Sequence, residues 1–158
     1  MSSGSLTPFL ERRRTCLAYS PGGHRAELER ALFGITFLDV FHVTFDDGQT
    51  APAGQRRHLV CHPRRSAVRT LVNAWQSWCI LARERPALVI STGADVAVPL
   101  LLLAKLFGAE VIFIETAGSD RPTLAGRLVY PVADLFIVQW PDRLATFPRA
   151  VLAEGLLL

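Results

Sequence analysis

Short, unbroken apolar runs, each ending at a glycine-bearing or polar loop and followed by a helix-patterned stretch, constrain this chain most. Residues 15–20 (TCLAYS), 40–45 (VFHVTF), 87–91 (ALVIS), 110–115 (EVIFIE) and 134–139 (DLFIVQ) read as strands, with a shorter candidate at 58–61. Between them, 24–33, 66–85, 95–107 and 123–133 carry helical spacing, as in Leu28, Ala31 and Leu32. Pro86 stops the second helix, and Pro99 is expected to interrupt or bend the third. Residues 141–147 read as one or two helical turns. Strands that are apolar throughout, instead of alternating, must be buried on both faces, so helices cover both sides of a parallel sheet. The expected fold is α/β, a Rossmann-like doubly wound parallel sheet. With 158 residues the chain suits one domain. Residues 1–14 read as a polar tail, 15–158 as the domain, and the apolar end from Val151 to Leu158 is poorly specified.

Ligands bind such sheets beyond the carboxyl ends of the strands, so function should lie in the loops opening at Ser20, Ser91, Glu115 and Gln139. The first runs Ser20-Pro21-Gly22-Gly23-His24. Gly22 and Gly23 allow a sharp turn and close backbone approach, and the helix beginning there offers unpaired N–H groups to an anion. His24 is a candidate phosphate ligand or base; a surface histidine on a plain turn is the structural alternative. The loop is neither a Walker loop nor a G-x-G-x-x-G fingerprint, which weakens NTPase and dehydrogenase readings. In the second loop, Ser91, Thr92 and Gly93 are candidate phosphate contacts. Capping of the next helix is the expected role for Ser91 or Thr92, and Asp95 complements its dipole. In the third, Glu115 is a candidate acid–base group and Arg121 a candidate anion ligand. In the fourth, Gln139-Trp140-Pro141, the Trp-Pro pair either stacks on a ring or closes a core edge, and packing is the favoured reading.

One helix carries a further pattern. Leu71, Trp75, Trp78 and Leu81 or Ala82 share a stripe, with Arg64, Arg65 and Arg69 before it and Arg83 and Arg85 after it. Aromatics framed by arginines suit an anionic membrane interface, whereas periodicity alone favours burial on the sheet. The most apolar stretch, 96–107, is about half of the roughly 20 residues needed to span a bilayer. Seventeen basic against fourteen acidic residues give a formal charge of +3, a mild balance that calls for no nucleic acid. Cys16, Cys61 and Cys79 lack C-x-x-C spacing and are odd in number, which argues against metal or disulfide chemistry and fits a reducing compartment.

Taken in order, the loops resemble one family. Pro21-Gly22-Gly23-His24, the stretch 90–99 (ISTGADVAVP), Ile114-Glu115 and the stretch 126–141 (GRLVYPVADLFIVQWP) are similar to the Alg14 family, including its bacterial exopolysaccharide members of the PssD type. The resemblance spans roughly residues 15–158. It implies the N-terminal, acceptor-binding half of a GT-B glycosyltransferase, and the Gly-Gly-His loop is also similar to the acceptor-diphosphate loop of MurG glycosyltransferases. The implied function is an acceptor-binding, membrane-recruiting subunit of a two-component UDP-sugar glycosyltransferase. Its acceptor is a lipid-linked diphosphate saccharide, and no cofactor is implied.

The implied partner is an Alg13-like catalytic subunit that holds most of the UDP-sugar donor. A cleft between two domains needs a second polypeptide if this chain supplies one. The catalytic candidates are His24 and Glu115, and the acceptor-phosphate candidates are Gly22, Gly23, His24, Ser91, Thr92, Gly93 and Arg121. Trp75, Trp78, Arg65 and Arg69 are the membrane-contact candidates; Gln139, Trp140, Leu156, Leu157 and Leu158 are the partner-contact candidates. Many family members begin with a spanning helix where this sequence begins with a polar tail, so the expected location is peripheral, on the cytoplasmic membrane face. Two other classes remain open on residues alone: a self-contained phosphate-ester hydrolase using His24 and Glu115, and a flavodoxin-like nucleotide or flavin binder.

Overall fold

The computed structural model describes residues 9–48 and 54–153. Seven strands form one parallel sheet: β2 (Thr15–Ala18), β4 (Val40–Thr44), β5 (Arg57–Leu59), β6 (Leu88–Ser91), β7 (Glu110–Ile114), β8 (Leu135–Val138) and β9 (Val151–Leu152), in the order β5-β4-β2-β6-β7-β8-β9. A separate two-stranded sheet pairs β1 (Phe9–Glu11) with β3 (Ile35–Phe37). Four helices connect the strands: α1 (Gly23–Ala31), α2 (Ala67–Glu84), α3 (Val98–Ala104) and α4 (Leu124–Val129). The chain winds outward from β2 in one direction, returns through α2, and winds from β6 in the other. Order therefore reverses between β2 and β6, which pair in register from Thr15↔Leu88 to Ala18↔Ser91. That is the topological switch point of a doubly wound sheet.

Two apolar layers hold the helices on. The larger unites Cys16, Ala18, Phe41, Val89, Val111, Phe113 and Phe136 with Leu81 of α2, Leu100 and Leu101 of α3 and Val129 of α4. The smaller sets Leu28 of α1 against Leu17, Leu88, Ile90 and Ile114. Both faces of the sheet are thus used, which is why its strands read as continuous apolar runs.

The structure departs from the sequence reading in three places. Phe9–Glu11 belongs to a strand, not to the expected polar tail, because Glu11 turns its carboxylate onto Arg13 (Nη2–Oε2 2.8 Å) while Arg13 also reaches Glu110 (2.6 Å). This pairing holds the Glu11 carboxyl down to about 2. Pro99 does not bend a helix: α3 starts only at Val98, and Pro99 sits in its first turn, where a missing N–H costs nothing. Val151–Leu152 adds an edge strand to the main sheet, paired with β8.

Helix α2 has its faces inverted. Asn73, Ser77, Leu81 and Glu84 point inward. Asn73 Nδ2 donates to Cys61 O (2.8 Å) and to Val96 O (3.1 Å), and Ser77 Oγ donates to Asn73 Oδ1. Val68, Leu71, Val72, Trp75 and Trp78 point outward, with Leu71 70% and Trp75 69% exposed. The expected stripe splits accordingly: Leu71, Trp75 and Trp78 face out, while Leu81 is buried. Trp78 still leans edge-on against Phe107 at 4.9 Å between ring centres. A buried polar face is tolerable only because each group is hydrogen-bonded. Asn73→Ala should therefore cost about 1–3 kcal/mol by stranding two carbonyls, whereas Trp75→Ala should fall within about 0.5 kcal/mol of wild type. Urea denaturation of both variants checks the contrast.

Candidate functional site

The loops after β2 and β6 meet because their strands are neighbours. Gly22, at φ +86°, turns the chain from β2 into α1 and contributes no capping side chain. The first-turn N–H groups of α1 consequently lack a side-chain acceptor. His24 in that turn is tied to Thr92 in both directions: Thr92 Oγ1 donates to His24 O (2.6 Å), and His24 Nδ1 lies 2.9 Å from Thr92 O. A carbonyl only accepts, so Nδ1 carries the ring proton and Nε2 is the nitrogen left for a ligand. Gly93 follows at φ +102°; a side chain there would sit 3.4 Å from Phe113 Cζ and 3.7 Å from His24 Cε1. Those are ordinary contacts, and it is the positive φ that requires glycine here. Ser91 is fully buried, its Oγ accepting from Gly93 N at 3.0 Å. Neither Ser91 nor Thr92 caps α3, contrary to expectation, because that helix begins several residues later. They shape the loop from within and do not line the cleft. Asp95 lies 3.6 Å from His62 Nδ1.

A cleft of about 650 Å³ opens over the start of α3. It is lined by His24, by Pro63, Arg65 and Thr70 at the start of α2, by Ala94, Asp95, Val98 and Pro99, by Thr116, Gly118 and Ser119, and by Thr123, Leu124, Ala125 and Leu128. Arg64 and Arg65 both adopt left-handed backbone, at φ +47° and +57°, a costly geometry for residues other than glycine that turns the chain into Ser66, the N-cap of α2. This brings Arg65, read from sequence as a membrane contact, into the cleft lining.

The loop following β7 forms the opposite wall and is held from several sides. Glu27 of α1 accepts from Thr116 Oγ1 and from Ala117 N, both at 3.0 Å, while its second oxygen faces His24 Nδ1 at 3.8 Å. Gln139 Nε2 donates to Glu115 O (2.9 Å), Trp140 Nε1 to Ala117 O (3.0 Å) and Arg143 Nη2 to Ser119 O. Three side chains after β8 thus grip alternate carbonyls of one loop. Gln139 is buried, so its expected role as a partner contact is corrected: it is an internal clamp. Trp140 is half-buried and serves the same purpose. Leu156, Leu157 and Leu158 lie outside the described residues.

Glu115 is also corrected. It is 1% exposed, and its oxygens accept from Thr123 N (2.6 Å) and Thr123 Oγ1 (3.0 Å), while Thr123 Oγ1 in turn caps α4 through Gly126 N. Burial pushes its carboxyl above the usual range, against the Thr123 bonds. The side chain is sealed from the cleft and positions α4. Arg121 is exposed and outside the cleft lining, its backbone engaged by Ser119 Oγ. The structure thus places His24 and Arg65 in the cleft lining, packs Thr92 and Gly93 behind His24, and leaves Glu115, Arg121 and Gln139 outside the lining. The sequence reading missed Glu27, whose three-residue spacing from His24 on α1 was the available signal; it also missed Thr123, Arg143, Leu124 and Leu128, which only the fold brings there.

The sheet order and the site at its switch point define a Rossmann-like domain equivalent to one half of a GT-B protein. The solved structures agree: Acinetobacter baumannii MurG superposes at TM-score 0.68 with 18% identity over 90% of this chain and 45% of that one. A UDP-GlcNAc 2-epimerase from Methanocaldococcus jannaschii does so at 0.68, with 11% identity over 88% and 42%. Residues 54–156 match the family described as oligosaccharide biosynthesis protein Alg14 like, and this chain belongs to that family. The UDP-N-acetylglucosamine transferase subunit ALG14 of Rattus norvegicus is 29% identical over 93 residues, 54% of this chain and 43% of that protein. Its counterpart in Eremothecium gossypii is 35% identical over 99 residues, 54% and 44%. The UDP-N-acetylglucosamine--N-acetylmuramyl-(pentapeptide) pyrophosphoryl-undecaprenol N-acetylglucosamine transferase of Treponema pallidum is 39% identical over 82 residues, 52% and 21%. The chain spans less than half the length of these relatives.

Gly126 gives the site a direct test. A methyl group there would overlap Glu115 Oε2 and lie 2.9 Å from Cδ. Alanine in a helix normally gains about 1 kcal/mol over glycine, but the buried carboxylate is fixed by Thr123 and has no room to yield. Gly126→Ala should therefore destabilise by about 1–3 kcal/mol, as overpacked cores do, read as a lowered urea midpoint.

Proposed function

We propose that this chain is the acceptor-binding subunit of a two-component glycosyltransferase acting on a lipid-linked diphosphate saccharide. A separate, Alg13-like subunit holds the UDP-sugar and completes the cleft. One observation carries the reading: His24, pinned through Nδ1 to Thr92 at the uncapped start of α1, opens into the cleft at the sheet's switch point. The first-turn N–H groups of α1 and Arg65 bind the acceptor diphosphate. His24 Nε2 takes the proton from the acceptor hydroxyl as that oxygen attacks the sugar's anomeric carbon, and the nucleotide diphosphate departs on the partner's side. Similarity to relatives named as transferase subunits supports the division of labour, and similarity to a transferase whose name includes a pyrophosphoryl-undecaprenol acceptor supports the acceptor class. A hydrolase built on His24 and Glu115 is disfavoured, since Glu115 is sealed away from the cleft.

The purified chain should show no sugar transfer, and activity should appear on adding the donor-binding subunit. In that complex, His24→Ala should lower kcat by about 10²- to 10⁴-fold with acceptor KM largely kept. A raised KM with unchanged kcat would instead mark His24 as a phosphate ligand.

The outward face of α2 supplies the membrane contact in this reading. Among the described residues no helix is long and apolar enough to cross a membrane. Val68, Leu71, Val72 and Trp75 are exposed together, and exposed Arg64, Arg65, Arg69, Arg83 and Arg85 surround them, the composition of a helix lying in an anionic interface on the cytoplasmic side. Leu71→Ser with Trp75→Ser should weaken sedimentation with phosphatidylglycerol vesicles by about tenfold or more, since two large apolar contacts are lost. The thermal melt should stay unchanged. Full vesicle binding by this variant would remove α2 as the contact.

A further inference from the structure

We infer that the cleft holds a subsite for the first isoprenoid units of the acceptor's lipid, built by Leu124 and Leu128 of α4 with Val98 and Pro99 of α3. The inference rests on the acceptor-binding reading and adds to it where the hydrocarbon runs. The cleft is chemically divided. His24, Thr116, Ser119 and Thr123 supply its polar part, and Val98, Pro99, Leu124, Ala125 and Leu128 its apolar part. Leu124 and Leu128 are four residues apart and share one face of α4. Leu124 is 73% exposed and Leu128 is also exposed, while Gly126 and Val129 take the buried side. A short helix that showed only water to that face would have no use for two leucines there.

The occupant follows from the lining. Among the described residues that line the cleft, His24 is the one aromatic ring, and the apolar wall is aliphatic. That wall suits a flexible hydrocarbon. The ligand's other end must be anionic, because the cleft also presents Arg65 and the uncapped start of α1, while Asp95 faces His62. Arg65 and Thr70 at the start of α2 line the cleft, and Val68, Leu71 and Val72, interleaved with them in sequence, are exposed on the same helix. A phosphate-headed isoprenoid can therefore lie with its anion near His24 and its chain past α4 toward the surface where α2 meets lipid.

Isothermal titration calorimetry on the purified chain tests this, with inorganic diphosphate and farnesyl diphosphate, below its micellar concentration, as probes. Wild type should bind farnesyl diphosphate about tenfold or more tighter than diphosphate, since burying two methylene-sized groups supplies that factor. Leu124→Ser with Leu128→Ser should shrink the advantage to within about threefold while leaving diphosphate affinity and the thermal melt unchanged, both side chains being exposed. Trp75→Ala should keep the full advantage. Equal affinity for both probes, an advantage surviving in the double variant, or its loss in Trp75→Ala overturns the subsite alone. Failure of wild type to bind either probe overturns the acceptor-binding reading together with the subsite.

Discussion

Everything at the site depends on β2 lying beside β6 in register, with Ala18 opposite Ser91. That pairing brings two glycine loops, far apart in sequence, to one point above the sheet. The paired hydrogen bonds between His24 and Thr92 then convert proximity into geometry. One of them uses a backbone carbonyl, which decides the tautomer of the imidazole. The other uses the His24 carbonyl, so the first turn of α1 cannot drift without breaking it. Gly93 belongs to the same unit, since its backbone sits at φ +102°, where a side chain is strained.

The second constraint is the clamp on the loop after β7. Backbone at the end of a strand loses its ladder partners and must find others. Here Gln139, Trp140 and Arg143 meet alternate carbonyls from one side and Glu27 meets the Thr116 hydroxyl and Ala117 N–H from another. Glu27 thereby joins the histidine-bearing helix to the far wall of the cleft. The Gln-Trp-Pro stretch, readable in the sequence as a contact surface, is occupied internally. Glu115 performs a related task one layer deeper, trading exposure for a pair of bonds to Thr123 that set the angle of α4 and require Gly126 beside it.

Helix α2 follows a different logic. Its inward face is polar and satisfied: Asn73 bridges two carbonyls from separate loops, and Glu84 meets His58 Nε2 at 2.9 Å. Val68, Leu71, Val72 and Trp75 stay exposed, while Leu81 enters the core. A helix of ordinary amphipathic design would have pointed Leu71 and Trp75 at the sheet, and the same periodicity fits both orientations.

The parallel, doubly wound class, six of the seven main-sheet strands and the four loops that end them are legible in the sequence, because hydrophobic periodicity and glycine punctuation are local signals. The small β1–β3 sheet was not, since its three-residue strands are too short to carry a period and depend on Arg13 reaching Glu110 across the fold. Nor could the roles of Glu115, Gln139 and Arg121 be separated. Each is a polar residue in a loop at a strand's carboxyl end, and nothing local distinguishes one whose bonding groups are claimed within the fold from one open to a ligand. By itself the sequence determined most of the strands of the main sheet and the loops that open at their carboxyl ends. Only the tertiary structure decided which of those loops touch, which face of α2 meets the sheet, and which carboxylates are buried, because these depend on contacts between residues that have no pattern in common.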